Sequence, residues 1–333
     1  MKRPPPAPKS RIKDVPEGPP LAMPLHLSVA LFLAGLAAAA VGGDLFLRGV
    51  IELARALRVP PGVVGVTVAA FATSSPELAV AVTAAARGQP ELSVGDSIGS
   101  NVVNAGLVLG LALLRAPLRV EGPSLARDRA AALAAPALTA ALLADGALSR
   151  ADAALLLAAF GAWLLTTVRG ALRARDEEPV DEAAHPLRTG IALVGGLAAL
   201  VGAGHLTVAG ARGIGGALGL SAFTTGATLV AFGTSVPELA TTLIAARRGH
   251  DDVSVGTLLG SNLFNGLFVV GVAGAIRPAR PALAEVAAGL AFGLLTTLLM
   301  TPGPGGVLAR GRGAALLLCY GAYVTLVLRA GGR

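Results

Sequence analysis

Two short stretches place oxygen-rich side chains where lipid would not choose them. One reads Ala70-Phe71-Ala72-Thr73-Ser74-Ser75-Pro76-Glu77, the other Ala231-Phe232-Gly233-Thr234-Ser235-Val236-Pro237-Glu238. Each lies within an apolar run long enough to cross a bilayer. Proline lacks a backbone N–H and clashes with the carbonyl one turn back. Pro76 therefore frees the carbonyls of Ala72 and Thr73, and Pro237 those of Gly233 and Thr234. At membrane depth, freed carbonyls persist only where protein or a water-lined cavity satisfies them. The hydroxyls of Thr73, Ser74, Thr234 and Ser235 and the carboxylates of Glu77 and Glu238 surround the two breaks. Hard cations want such a shell; Ca2+ takes about six to eight oxygens, carboxylates and carbonyls among them. Two glutamates give a formal charge that matches one Ca2+. A carboxylate at the bilayer centre costs about 2.5–3.5 kcal/mol even on the lenient insertion scale. No Lys or Arg lies at comparable depth in these spans, so a cation or a proton is the expected partner.

A second repeated element follows on the next span, Gly99-Ser100-Asn101-Val102-Val103-Asn104 and Gly260-Ser261-Asn262-Leu263-Phe264-Asn265. Ser100 and Asn104 are four apart and share a helix face, as do Ser261 and Asn265. They can supply neutral oxygens to the shell, or act as polar glue between helices. The glue reading weighs most for Asn101 and Asn262. Gly95/Gly99 and Gly256/Gly260 have the spacing of close helix packing. Elsewhere Asp44 and Arg48 form an i,i+4 pair near a span end. His205, the repeat counterpart of Asp44, reads as a helix-packing histidine or a proton site. Asp96, Asp145 and Asp152 are expected at or near span ends, with ion access a lesser possibility for Asp96.

These residues need membrane-spanning elements to hold them. The chain has 333 residues, 54% hydrophobic and only 14% charged, whereas a soluble domain is about 25% charged. Spans of about 20 apolar residues fall near 25–47, 62–86, 92–114, 126–144, 149–168, 188–211, 222–246, 252–275, 281–301 and 312–329. Residues 63–117 and 224–278, laid together without gaps, agree at about 25 of 55 positions, which marks an internal repeat. Each half holds about five spans, an odd number, so the second half enters from the opposite side; many secondary transporters use this inverted plan. The expected fold is an all-α integral membrane protein of two inverted five-helix repeats with proline-broken helices at the midplane. The divisions are a disordered, basic, Pro-rich tail (1–24), a first repeat (25–170), a cytoplasmic linker (171–187) and a second repeat (188–333). The apolar run starting near Leu25 is too long for a secretory signal.

The net charge of +7 comes from arginines scattered through short connections, which fits membrane flanks and not nucleic-acid binding. One side collects Arg48, Arg115, Arg119, Arg127, Arg169, Arg188 and Arg310 among others. The other collects fewer, including Arg87, Arg150, Arg212, Arg277 and Arg280. The richer side is expected to be cytoplasmic, which puts both termini outside; the basic tail argues the other way. A single cysteine, Cys319, excludes an internal disulfide and a cysteine-based metal site.

The paired ATSSPE (72–77) and GTSVPE (233–238), each followed by GSNxxN, resemble the alpha-repeats of the cation/calcium exchanger superfamily, in particular its prokaryotic sodium/calcium exchanger branch. The resemblance covers nearly all of the chain after the tail. It implies ten transmembrane helices, a midplane ion cluster, and exchange of several Na+ for one Ca2+ by alternating access. It further implies that Glu77 and Glu238 are shared by the calcium and sodium sites. Thr73 and Thr234 would give carbonyl and hydroxyl oxygens, and Ala70 and Ala231 backbone carbonyls. Ser74, Ser235, Ser100 and Ser261 would give hydroxyls, and Asn104 and Asn265 would line the middle site. The first and sixth helices, with Gly42, Gly43, Gly202 and Gly204, would slide across a fixed core. Some exchangers carry an aspartate where this chain has Asn265; its absence argues against potassium co-transport.

The expected function is Ca2+/Na+ antiport across the cytoplasmic membrane, with membrane lipid and the two ions as partners and no cofactor. A Ca2+/H+ or other cation/proton antiporter on the same fold is the alternative, since buried glutamates can carry protons. An enzyme would need a nucleophile–base pair or a metal cluster, and His26, His185 and His250 lie outside the motif spans.

Overall fold

The computed structural model describes residues 23–56, 70–120, 123–173, 186–247, 249 and 251–331. Most of the expected tail and linker, and the start of the second expected span (62–69), lie outside the described residues.

The first half opens with α1 (Leu25–Ala56). A rod broken in two follows, α2 (Ala70–Thr73) and α3 (Ser75–Ala86). Then α4 (Pro90–Val102) passes through a π-helical turn (Val103–Val108) into α5 (Leu109–Arg115). α6 (Pro123–Leu142) and α7 (Arg150–Arg173) complete the half. The second half begins with α8 (Pro186–Ala217). Its broken rod comprises α9 (Ala222–Thr225), a π-helical turn (Gly226–Val230), α10 (Ala231–Thr234) and α11 (Val236–Arg247). α12 (Asp251–Leu263), a further π-helical turn (Phe264–Val269) and α13 (Val270–Ile276) form the next rod. α14 (Leu283–Leu299) and α15 (Arg310–Gly331) end it. Every bound from α1 to α5 recurs 161 residues later in the second half, so the sequence repeat is a structural one to the residue.

Seven helices among the described residues are long and apolar enough to cross a membrane. α14 is shorter, at 17 residues. α6 has 20, but carries Arg127, Asp128, Arg129 and Pro136. The α2–α3 rod is described from Ala70 onward.

α1 and α8, each 32 residues, span about 48 Å at 1.5 Å per residue and lie side by side. They run antiparallel: Gly35 meets Thr207, Gly42 meets Ala199, and Gly49 meets Leu193. Gly196 meets Phe46 and Gly210 meets Phe32 in return. Without side chains at these points the backbones approach closely, which is how small residues serve helix pairs in lipid. Much of the pair's outer surface is exposed and apolar, Val41, Leu187 and Val194 included.

α4 and α12 are buried in the centre, and for that reason can carry polar residues on their inward faces. Leu109, Leu113, Leu258, Leu259, Val270 and Tyr323 pack around them in the largest core cluster. At the ends, Leu118–Arg119 (β1) pairs antiparallel with Val307–Leu308 (β2), and Leu148 bridges Ala279. Arg310 Nη2 donates to Arg115 O (2.9 Å) and Arg150 Nε to Ala275 O (3.2 Å). The two arginines thus satisfy carbonyls at the ends of α5 and α13, where cations are favoured. Arg119 N donates to Asp251 Oδ2 and Arg280 N to Glu91 Oε1. These contacts join Arg115 and Arg119 with Arg310, and Arg87 with Arg277 beside Gly88. Each set falls on one of the two sides into which the sequence sorted its arginines.

Candidate ion site

The proline-bearing rods break where the sequence places the prolines. Ser74 leaves the helix at φ −89°, ψ 10°, with Pro76 in the first turn of α3. Ser235 does the same at φ −80°, ψ 6°. Each break puts the C-terminal carbonyls of one short helix beside the N-terminus of the next, and a glutamate in that first turn. A helix N-terminus favours a carboxylate. The carbonyls of Ala70 and Ala231 accept from Ser74 N (3.0 Å) and Ser235 N (3.2 Å).

Glycine brings α4 against the second broken rod. A Cβ on Gly95 would lie 2.2 Å from Phe223 O, one on Gly99 2.5 Å from Ala227 O, and one on Gly226 2.2 Å from Leu92 O. No other residue fits at these three points, and the fit carries the polar face of α4 onto Thr234.

All twelve expected site residues are buried, none more than 3% exposed. Around Glu238 they join into a network. Ser74 Oγ, from the other repeat, donates to Glu238 Oε1 at 3.0 Å, and Ser261 Oγ reaches the same oxygen at 3.4 Å. Thr73 Oγ1 lies 3.4 Å from Ser261 Oγ and donates to Ala70 O at 3.3 Å. Around Glu77 the corresponding bonds are not made. Among the described residues, Glu77 Oε1 and Oε2, Ser100 Oγ, Ser235 Oγ and Glu238 Oε2 have no hydrogen-bond partner.

The asparagines sit between the repeats. Asn101 Nδ2 donates to Asn262 O (3.1 Å) and Asn262 Nδ2 to Asn101 O (3.3 Å). The two residues are 161 apart, the offset of the repeat, and their reciprocal pairing agrees with the glue reading. Asn104 Nδ2 adds a bond to Asn262 Oδ1 (3.2 Å), whereas neither amide atom of Asn265 has a partner among the described residues. Asn104 and Asn265 both lie in π-helical turns. Such turns are frequent at functional sites.

Two sequence expectations change, and one feature is new. Asp96, expected near a span end, is fully buried within α4 and accepts from Thr234 Oγ1 at 3.3 Å. The reason is that α4 is covered by the α9–α10 rod through its glycines. The signal lay in the spacing: Asp96, Ser100 and Asn104 fall at i, i+4 and i+8, on one face. His205 is exposed, with Nδ1 2.8 Å from Arg87 Nη2, and is not a packing residue. The π-helical turns had no signal in the sequence reading. The other acids lie where expected. Asp44 and Arg48 pair at 2.6 Å. Asp145 accepts from Ala147 N in the turn after α6, and Asp152 forms a reciprocal cap with Ser149 at the start of α7.

A paired, buried set of carboxylates and hydroxyls on two broken helices suits a desolvated cation passing through the protein. Comparison with known proteins bears on this directly. The family model described as sodium/calcium exchanger protein matches residues 27–169 and, separately, 189–329, one match per repeat. The chain belongs to the sodium/calcium exchanger family. Among its relatives is the putative antiporter CaxA of Alkalimonas amylolytica, 35% identical over 254 residues, covering 74% of this chain and 80% of the relative. The sodium/calcium exchanger MaX1 of Methanosarcina acetivorans is 26% identical and covers 91% of this chain and 99% of its own. A solved structure of the sodium-calcium exchanger NCX_Mj, soaked with Na+ and Sr2+, superposes with a TM-score of 0.64 at 30% identity, covering 93% of this chain and all of the other. As a member of this exchanger family, the chain is a multi-pass membrane transporter, and the burial of its acidic motifs is what transport of cations requires.

Proposed function

We propose that the protein is a secondary active antiporter that exchanges Ca2+ for Na+ across the cytoplasmic membrane by alternating access. The observation that carries the proposal is the pair of repeat-related glutamates, Glu77 and Glu238. Both stand at helix breaks, wholly buried, with hydroxyls beside them, and three of their four carboxylate oxygens have no partner among the described residues. The glutamates, with Thr73, Thr234, Ser74, Ser235, Ser100, Ser261, Asn104, Asn265 and the carbonyls of Ala70 and Ala231, bind either one Ca2+ or sodium ions. Competition for shared oxygens couples the fluxes, because a ligand shifts an equilibrium only through its differential affinity. NCX_Mj, soaked with Na+ and Sr2+, is a structural relative in keeping with this reading.

In this reading the chain crosses the membrane ten times, in inverted repeats at 25–170 and 188–333 joined by a cytoplasmic linker (171–187), with both termini outside. Two observations support it. The repeat mates α1 and α8 run antiparallel, and the end contacts put Arg310 with Arg115 at one end and Arg150 with Ala275 at another, in keeping with ten crossings. The glycine-lined seam between α1 and α8 holds no hydrogen bond that sliding would break except near Glu52 and Thr189 (2.7 Å), among the described residues.

The test is 45Ca2+ uptake into proteoliposomes loaded with sodium, beside potassium-loaded and acid-loaded vesicles. Uptake that requires internal sodium and vanishes in Glu77→Gln is the expected result. Uptake driven by the acid interior alone would make the protein a Ca2+/H+ antiporter.

A further inference from the structure

His205 lies apart from the ion site, exposed on α8, with Nδ1 2.8 Å from Nη2 of Arg87 at the end of α3. A guanidinium carries N–H donors and no acceptor. Arg87 therefore donates and Nδ1 accepts with its lone pair, so the imidazole in this contact is neutral and holds its proton on Nε2. A proton on Nδ1 would remove the acceptor and set two cations side by side. Histidine is the side chain whose ordinary change of charge falls between about pH 5 and about pH 8.

The contact stands where α8 is seated on α3. A Cβ on Gly204, the residue before His205, would lie 2.9 Å from Ala79 O and 3.1 Å from Thr83 Oγ1. The repeat mate of Gly204 is Gly43, where a Cβ would meet nothing within 4 Å. Val80, Ala84 and Ala85 of α3 are buried, whereas their mates on α11, Thr241, Ala245 and Ala246, are half-buried. One long helix thus closes on its broken rod, and the mate does not. The chemistry differs as well. The mates of His205 and Arg87 are Asp44 and Arg248, an acid and a base whose charges stay opposite over the same pH range. Asp44 pairs with Arg48 on its own helix, and Arg248 lies outside the described residues.

Arg87 is the charged group that His205 meets; among the described residues no carboxylate pairs with the histidine. On α1, Gly35 meets Thr207 and Gly42 meets Ala199, so the uncharged residues 36–40 stand level with it. The rod from Ala222 to Val230, which also packs against α8, carries no titratable side chain. Further off on this side are Arg212, two turns along α8, Arg277 beside Gly88, and Glu91, whose Oε1 accepts from Arg280 N.

We infer that the Arg87–His205 contact is a proton-sensitive latch, which holds α8 on α3 while His205 is neutral and loosens it when His205 is protonated. This rests on the reading that α8 travels during the cycle. An exposed pair is weak, so the latch biases the position of α8 and the Gly204 seat does the closing. A bias acts on a two-state equilibrium through its difference between the states. Acid on the Arg87 face favours the separated form. Acid on the opposite face, where Asp44 stands in place of the histidine, does not act through this device.

The experiment is thiol labelling of the full-length protein in detergent. Cys319→Ser removes the single cysteine, and Thr83→Cys places a reporter under Gly204, at a position 6% exposed. A water-soluble maleimide reaches that thiol when α8 leaves α3. Rates are measured from about pH 8 to about pH 5 and divided by those in His205→Gln, which keeps an acceptor for Arg87 and does not titrate. The division cancels the ionisation of the thiol itself. The expected ratio rises about two- to fivefold toward acid, the size of an exposed charge interaction, and is flat when both proteins carry Arg87→Ala. A ratio that is flat with Arg87 in place, or a rise that persists without it, overturns the latch. A thiol that stays unlabelled at every pH, with and without Na+ and Ca2+, would instead sink the travel of α8, and the latch with it. Should Thr83→Cys fail to fold, the pH profile of 45Ca2+ uptake decides. Wild type more active than His205→Gln toward acid, or less, supports the device; coincident profiles overturn it.

Discussion

The two glutamates occupy the same place in the same motif, yet their surroundings differ. Glu238 is held by Ser74 and Ser261 through one oxygen and keeps the other bare. Glu77 has both oxygens bare, with the serines that would correspond, Ser235 and Ser100, bare as well. The same side carries a difference between the repeats: Asp96 stands where the second repeat has Thr257, and Thr234 donates to it. A duplicated fold thus need not give a duplicated site. The backbone recurs at the repeat offset, and the side chains differ in which hydrogen bonds they form.

The strongest way to break this comparison is to remove each charge in turn. Glu77→Gln and Glu238→Gln should each reduce Na+-driven Ca2+ uptake on the order of a hundredfold, about 2.7 kcal/mol at 1.36 kcal/mol per decade. A variant of either that still transports would show that the cation leans on one side only. The next effect concerns the seat of Asp96. Gly95→Ala drives a methyl into Phe223 O and should cost about 1–3 kcal/mol, read as a lower thermal midpoint in detergent. Gly43→Ala meets nothing within 4 Å and should stay within about 0.5 kcal/mol of wild type.

The serines sharpen the contrast. In buffer without Ca2+ or Na+, Ser74→Ala removes a donor to a carboxylate and should cost about 1.5–3 kcal/mol if Glu238 is ionised. Ser235→Ala removes a hydroxyl that bonds to no described residue and should cost little. Equal midpoints for the two would mean that the sides do not differ in solution. The asparagines give the smallest signal. Asn104→Ala loses a neutral bond worth about 0.5–1.5 kcal/mol, and Asn265→Ala should lose less. Both shifts can be read in the same thermal assay.

Much of this was legible in the sequence because the repeat is written in residues whose physics is local. Pro76 and Pro237 fix where the rods break, and Gly95 and Gly99 fix where α4 can touch another backbone. The boundaries of α1 to α5 recur at the offset that Glu77 and Glu238 display. The π-helical turns around Asn104 and Asn265 were not legible, since one extra residue in a turn leaves no compositional trace. Asp96 was misplaced because a span count treats an acid near the start of an apolar run as a flank. What buries it is a neighbour distant in sequence, the rod around Phe223 and Ala227. His205 shows the converse: an apolar run suggested packing, but the side chain meets Arg87 at the surface.

The clasp between Asn101 and Asn262 has a consequence for motion. A point on a two-fold axis maps onto itself when the two halves trade roles. In an exchanger whose outward- and inward-open forms arise by such a trade, the distance between any residue and its own repeat mate is the same in both, and among the described residues Asn101 and Asn262 are the mates joined by hydrogen bonds in both directions. In such an exchanger a pair of this kind would be a fixed reference against which the travel of two helices placed as α1 and α8 are could be gauged.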